Sequence, residues 1–192
     1  MLVTTRALSS LAILFAFCGS AQAHSFAGAG LVDGLAHPFA GIDHLIAMIA
    51  VGLWAAQQGG RRVWLIPASF VTAMAAGGWL GMSGLSLLAV EPAIALSVLL
   101  LGLAVAASVR APLPVGMALA SAFALFHGHA HGAELPLAAE PAMYAIGFLT
   151  ATAALHGIGI AMARALVFPI GRVLVRLCGG AAAVTGLVLL VA

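Results

Sequence analysis

Three histidines and a glutamate stand within the nine-residue segment FHGHAHGAE, residues 126–134, of a chain that is otherwise almost free of charge. His127 and His131 are four residues apart, which places both side chains on one face of an α-helix, whereas His129 is rotated away from them. Glu134 lies three residues after His131. Imidazole and carboxylate groups together suit a divalent transition-metal ion, so the segment indicates a metal site.

A second group of the same residue types lies in AHPFAGIDHLIAM, residues 36–48. His37 and His44 are seven residues apart, and we expect them on one face of a single helix. Asp43 is then about 100° away from His44 around that helix. For the two segments to share a site, the fold must bring them together.

The amino-acid composition indicates the class of fold that could bring the two segments together. Of the 192 residues, 64% are hydrophobic and 6% are charged, whereas a soluble domain carries about 25% charged residues. The net charge of +2 is too small for a nucleic-acid-binding protein, and the two cysteines, Cys18 and Cys178, give no disulfide framework. No phosphate-binding loop or soluble domain is recognisable, so we expect no ATP hydrolysis and no enzyme. The sequence predicts an all-α polytopic membrane helix bundle.

Residues 1–23 are predicted to be a cleaved signal peptide, and residues 24–192 the membrane domain. Arg6 supplies the positive charge, ALSSLAILFAFC the apolar core and AQA at 21–23 the cleavage site. The alternative is an uncleaved first membrane helix. Cleavage leaves His24 as the first residue, where its α-amine and imidazole could together chelate a metal ion.

Six membrane spans are predicted, each long enough to cross about 30 Å of hydrocarbon. They cover residues 38–57, 63–81, 87–109, 114–131, 142–163 and 171–191. If the mature N-terminus is periplasmic, every arginine of the mature chain lies on the cytoplasmic side, as the positive-inside rule requires. We therefore expect a multi-pass protein of the bacterial inner membrane.

This topology brings both motifs to the outer half of the membrane, where ionisable groups are costly and normally face a partner or a ligand. His129 and His156 could instead be hydrogen-bonded helix contacts. Glu91, which opens the third predicted span, could be an acid at a helix start. The side-chain types favour Ni, Co, Zn or Cu over Mg or Ca, without choosing among the four.

The two motifs resemble those of the HupE/UreJ family of nickel permeases, which are associated with hydrogenase and urease maturation. The matching residues are His37-x5-Asp43-His44 and FHGHAHGAE, and the similarity continues into FLTATAALHGIG at 148–159. The resemblance leaves the position of His129 open. Some relatives look like cobalt or cobalamin-linked transporters, so the implied substrate is Ni2+ or Co2+. The resemblance implies metal-binding and translocation roles for His37, Asp43, His44, His127, His131 and Glu134. Weaker candidates from the sequence are His24, Glu91, His129 and His156.

The function predicted is secondary transport of a divalent metal ion, Ni2+ first, from periplasm to cytoplasm, with no prosthetic group. Its partners are the metal ion and the lipid bilayer, and the oligomeric state is not indicated. The main alternative is a membrane haem or electron-transfer protein with His44 and His127 as axial ligands. An intramembrane metallo-hydrolase is a third interpretation, disfavoured because no HExxH helix is present.

Overall fold

The computed structural model describes residues 29–137 and 139–192, and every regular element within these ranges is helical. The predicted all-α fold is therefore confirmed. The predicted signal peptide and His24 lie outside the described residues. The seven α-helices are α1 (Ala29–Ala36), α2 (Ile42–Gln58), α3 (Arg62–Met82), α4 (Val90–Ala106), α5 (Leu113–Ala133), α6 (Pro141–Ala165) and α7 (Pro169–Val191).

Four of these helices, α3, α5, α6 and α7, are long and apolar enough to cross a membrane. A fifth candidate span is formed by α1 and α2 together, which are bent by 80° at a short break. Helix α4 has 17 residues, about 25 Å at 1.5 Å per residue. The described residues thus hold four or five candidate spans by length and composition, and the predicted number of six stays a prediction.

The predicted first span, 38–57, is wrong at its start, because the chain is not one helix there. A 3-10 turn, His37–Phe39, follows α1, and α2 begins only at Ile42. Gly41 between them has an extended backbone (φ −97°, ψ 118°), which interrupts the helical hydrogen bonds. His37 and His44 therefore do not lie on one face of a single helix, as the spacing had suggested.

Helix α4 is shorter than its predicted range, 87–109, because left-handed backbone conformations lie at both of its ends. Ala89 has φ 56° and Ser108 has φ 53°. At the second end, the amide of Ser108 donates to the Val105 carbonyl and that of Val109 to the Ala104 carbonyl. These bonds satisfy carbonyls that the helix would otherwise leave open, and they end it.

Glycines set the close approach of α3 and α5, which fixes the depth of the FHGHAHGAE segment. A Cβ atom at Gly128 would overlap the carbonyl oxygen of Met74, and one at Gly77 would overlap that of Leu125. Small residues at such positions let the backbones of membrane helices pack closely. Helix α2 lies at the centre of the bundle, where Ala47, Met48, Val51 and Trp54 are almost fully buried.

We expect Gly128→Ala to destabilise the protein, because the added methyl group requires α3 and α5 to separate. Overpacking of this kind costs about 1–3 kcal/mol. Gly157→Ala is the matched control, since a Cβ atom at exposed, helical Gly157 meets no atom within 4 Å. Thermal unfolding of the purified proteins in detergent measures both, and equal midpoints would contradict the role given to Gly128.

Candidate metal site

A cavity of about 310 Å³ opens at the end of the bundle where α2 and α4 begin and α5 ends. Seven titratable side chains from four separate parts of the chain line it. They include both predicted motifs, although His37 and Glu134 are 97 residues apart in sequence. The seven are His37, Asp43, His44, Glu91, His127, His131 and Glu134. The fold therefore brings together every residue that the family resemblance implicated, and Glu91 as well.

The outer part of the cavity holds His37, His131 and Glu134. Nε2 of His37 lies 3.1 Å from Oε2 of Glu134, and one ligand atom from each of the three residues lies within 4.8 Å of the others. The side chains of His37 and Glu134 are 25% and 59% exposed, whereas His131 is buried. Two imidazoles and a carboxylate at this separation could close on a transition-metal ion, whose bonds to such ligands are about 2.0–2.2 Å.

The inner part consists of three buried imidazoles. Nδ1 of His44 lies 2.6 Å from Nε2 of His131 and 3.2 Å from Nδ1 of His127. The second ring nitrogens, Nε2 of His44 and Nδ1 of His131, are buried without a hydrogen-bond partner among the described residues. Because buried polar atoms are normally paired, this arrangement favours an additional ligand such as a cation or water.

Ser97 fixes the tautomer of His127. Its hydroxyl donates to the carbonyl of Ile94 (2.6 Å), and its oxygen lies 2.8 Å from Nε2 of His127. Since the hydroxyl hydrogen is used, Nε2 of His127 must be the donor in this second bond. Nδ1 of His127 then carries the lone pair, and this is the atom that faces His44 and can bind a metal ion.

The two acids beside the histidines also have structural roles. Oδ1 of half-buried Asp43 accepts the backbone N–H of His44 at 2.7 Å, in the first turn of α2. Glu91 is exposed in the first turn of α4, where a negative charge is favourable. Both side chains nevertheless line the cavity. Each acid can therefore stabilise the start of its helix and also serve as a metal ligand.

The remaining candidates do not line this cavity. Nε2 of His129 donates to the carbonyl of Leu85, in the loop after α3, at 2.6 Å, so His129 has a hydrogen-bonded structural contact, as its alternative interpretation expected, but with a loop and not with a helix. His156 is 2% exposed on α6, and its ring stands edge-on to Phe70 with 5.1 Å between ring centres. Both its nitrogens lack a partner in the described part of the chain. His24 lies outside that part.

Two polar residues near the site were missed in the sequence. Ser97 lies in an apolar run, and nothing in that run signals its contact with His127. Tyr144 is fully buried on α6, with its ring centre 5.7 Å from that of His37. Its hydroxyl has no partner among the residues described. As the chain's single tyrosine, it could have been singled out, because a phenol in an apolar span normally has a hydrogen-bonding task.

Comparisons with known proteins show the family of the chain. The family model described as HupE / UreJ protein matches residues 11–189. Protein HupE of Rhizobium leguminosarum bv. viciae is 48% identical over 162 residues, which are 84% of this chain and 85% of the relative. No solved structure matches the chain significantly. A family match over most of its length and a relative at this level of identity show that the chain belongs to the HupE/UreJ family.

Proposed function

We propose that the protein is a secondary permease that carries Ni2+, with Co2+ as the second choice, from the periplasm to the cytoplasm. The observation that carries this proposal is the cavity in which four histidines and three carboxylates from separate helices converge. Membership of the HupE/UreJ family, which is associated with nickel and cobalt transport, supports it. The proposal includes a link to hydrogenase or urease maturation.

Capture occurs at the outer ligands. The partly exposed carboxylate of Glu134 attracts the cation, and His37 and His131 replace part of its water shell. Conduction requires ligands that are good enough to dehydrate an ion and weak enough to release it. His131 belongs both to the outer ligand group and to the buried imidazoles. The ion can therefore keep His131 as a ligand while it exchanges the outer ligands for the inner ones, which meets this requirement.

Transfer continues to His44 and His127, whose nitrogens lie within 3.2 Å of each other or of His131. Beyond them stands the ring of Phe70, whose centre is 6.1 Å from that of His127 and 5.1 Å from that of His156. An ion moving inward must pass or displace this ring. His156, whose two ring nitrogens have no hydrogen-bond partner among the described residues, is the next ligand in our proposal.

The haem alternative fits the geometry poorly. Two axial histidines must leave a slot for the macrocycle between them. The rings of His44 and His127 stand instead in edge contact, with centroids 5.1 Å apart and Nδ1 atoms 3.2 Å apart. Opening such a slot would require α2 and α5 to separate.

The distribution of the arginines between the two ends of the bundle supports the proposed orientation in the inner membrane. The arginines at 61, 62, 110, 164, 172 and 176 lie at one end of the bundle, at or beside the helix ends opposite the histidine-lined cavity. Under the positive-inside rule that end is cytoplasmic, and the cavity faces the periplasm. His24 lies outside the described residues, and its chelating role stays a prediction.

Replacing His44 or Asp43 by Ala should abolish uptake of trace Ni2+ while leaving the protein in the membrane. His44 contacts His127 and His131 of α5, and Asp43 supplies a carboxylate to the same cavity. Accumulation of radioactive nickel by cells, with membrane abundance measured by immunoblot, gives the result. Uptake at the unmodified level in either variant, at normal abundance, would remove that residue from the site.

The histidines of α5 should differ in their effects. His127→Ala and His131→Ala should both reduce nickel uptake strongly, because their nitrogens face His44. His129→Ala should reduce it less and act through stability, since it leaves the Leu85 carbonyl without its donor. Leu85 is 52% exposed, so water can replace the lost donor and the loss costs about 0.5–1.5 kcal/mol. Equal uptake losses in all three variants, at equal abundance, would speak against the geometry of α5 described above.

Ser97 should act through His127 as a positioning residue. Ser97→Ala removes the acceptor that fixes the His127 tautomer, and changes of this kind weaken metal binding by about 10–100-fold. We expect a corresponding rise in the nickel concentration for half-maximal uptake, with the maximal rate less affected. Ser97→Thr keeps a hydroxyl and should restore much of the affinity. A purely structural role predicts instead that both variants lose abundance without a change in half-saturation.

A further inference from the structure

A second cavity lies at the opposite end of the bundle from the histidines. It has a volume of about 430 Å³. Its polar wall comes from four elements: the last turn of α2, the loop between α4 and α5, the last turn of α6 and the first turn of α7. The polar residues that these elements contribute are Gln57, Ser108, Arg110, Arg164 and Arg172. We call this space the arginine cavity.

No carboxylate of the chain can neutralise these three guanidinium groups. The whole sequence holds five acidic residues, and all five lie in described segments at the other end of the bundle. They are Asp33, Asp43, Glu91, Glu134 and Glu140. The positive charge is therefore not compensated by these acidic side chains.

The contacts that the arginines do make are weak or point elsewhere. The guanidinium of Arg164 lies over the ring of Trp64, 5.5 Å from its centre. Arg176, outside the cavity, donates to the carbonyl of Ala106 at 2.7 Å. For Arg110 and Arg172 the described residues provide no hydrogen-bond acceptor. All three arginines are exposed, so three groups that stay protonated at every physiological pH line one solvent-open cavity, where water and salt partly screen their mutual repulsion.

An anion relieves this repulsion, and the side chains indicate its class. Guanidinium groups present paired N–H donors that match the oxygens of phosphate. Basic pockets between membrane helices on the cytoplasmic side bind phospholipid head groups. We propose that the arginine cavity binds a phosphate group, carried by an anionic phospholipid or by a soluble phosphate-bearing compound. The binding does not depend on the metal or on the proposed transport.

The test measures binding to the full-length purified protein. The cavity variant is Arg110→Gln with Arg172→Gln, which leaves the stacked Arg164 in place. The control variant is Arg61→Gln with Arg62→Gln, which removes the same charge at the same end of the bundle, outside the cavity. For the soluble source, thermal unfolding is followed against inorganic phosphate, with chloride at equal ionic strength as the reference. For the lipid source, native mass spectrometry counts phosphatidylglycerol retained from mixed phosphatidylcholine–phosphatidylglycerol bilayers.

We expect the native protein and the control variant to bind at least one of these two probes. The cavity variant should bind that probe at least about tenfold more weakly, as the loss of charge-assisted hydrogen bonds implies. Retained phosphatidylglycerol without a phosphate effect identifies the head group as the source, and the reverse result identifies a soluble compound. If the native protein distinguishes neither phosphate from chloride nor phosphatidylglycerol from phosphatidylcholine, the proposal is overturned. Equal losses in the control and cavity variants would overturn it as well, because they would reflect net charge alone.

Discussion

The contact of His44 with His127 and His131 is the interaction on which the site depends, because it joins the central helix to the FHGHAHGAE segment inside an apolar bundle. Imidazoles buried in such surroundings need partners, and here they have mainly one another. The position of α5 is set on its other side by close backbone approach to α3, at Gly77 and Gly128. The glycine contacts between α3 and α5 therefore help to set the depth in the bundle at which His127 and His131 lie.

Local periodicity was sufficient to predict the geometry within α5. Four residues separate His127 from His131, so both were expected on one face, and both line the cavity. His129 was expected to point away, and it bonds to the Leu85 carbonyl. Composition was sufficient for the all-α class, since an almost uncharged chain in an apolar phase must satisfy its backbone within helices. The convergence of the two motifs, by contrast, was inferred from the predicted topology, which places both in the outer half of the membrane, together with their shared ligand types.

What the sequence could not supply depends on contacts between distant segments or on single backbone angles. The break before α2 follows from one extended residue, Gly41, in a stretch whose spacing fits a continuous helix. The role of Ser97 arises from α4 packing beside α5, and no pattern within either segment encodes it. The short α4 likewise reflects left-handed conformations at Ala89 and Ser108, residue types that do not normally signal them.

The break at Gly41 separates the ligands mechanically as well as in sequence. His37 belongs to a short turn that follows α1, and α1 packs against α6 where Gly34 meets the Tyr144 backbone. His44 belongs to the rigid central helix. Different packing contacts therefore hold His37 and His44. The distance between the outer and the inner ligands depends on how α1 and α2 pack on either side of the break, and not on the pitch of one helix.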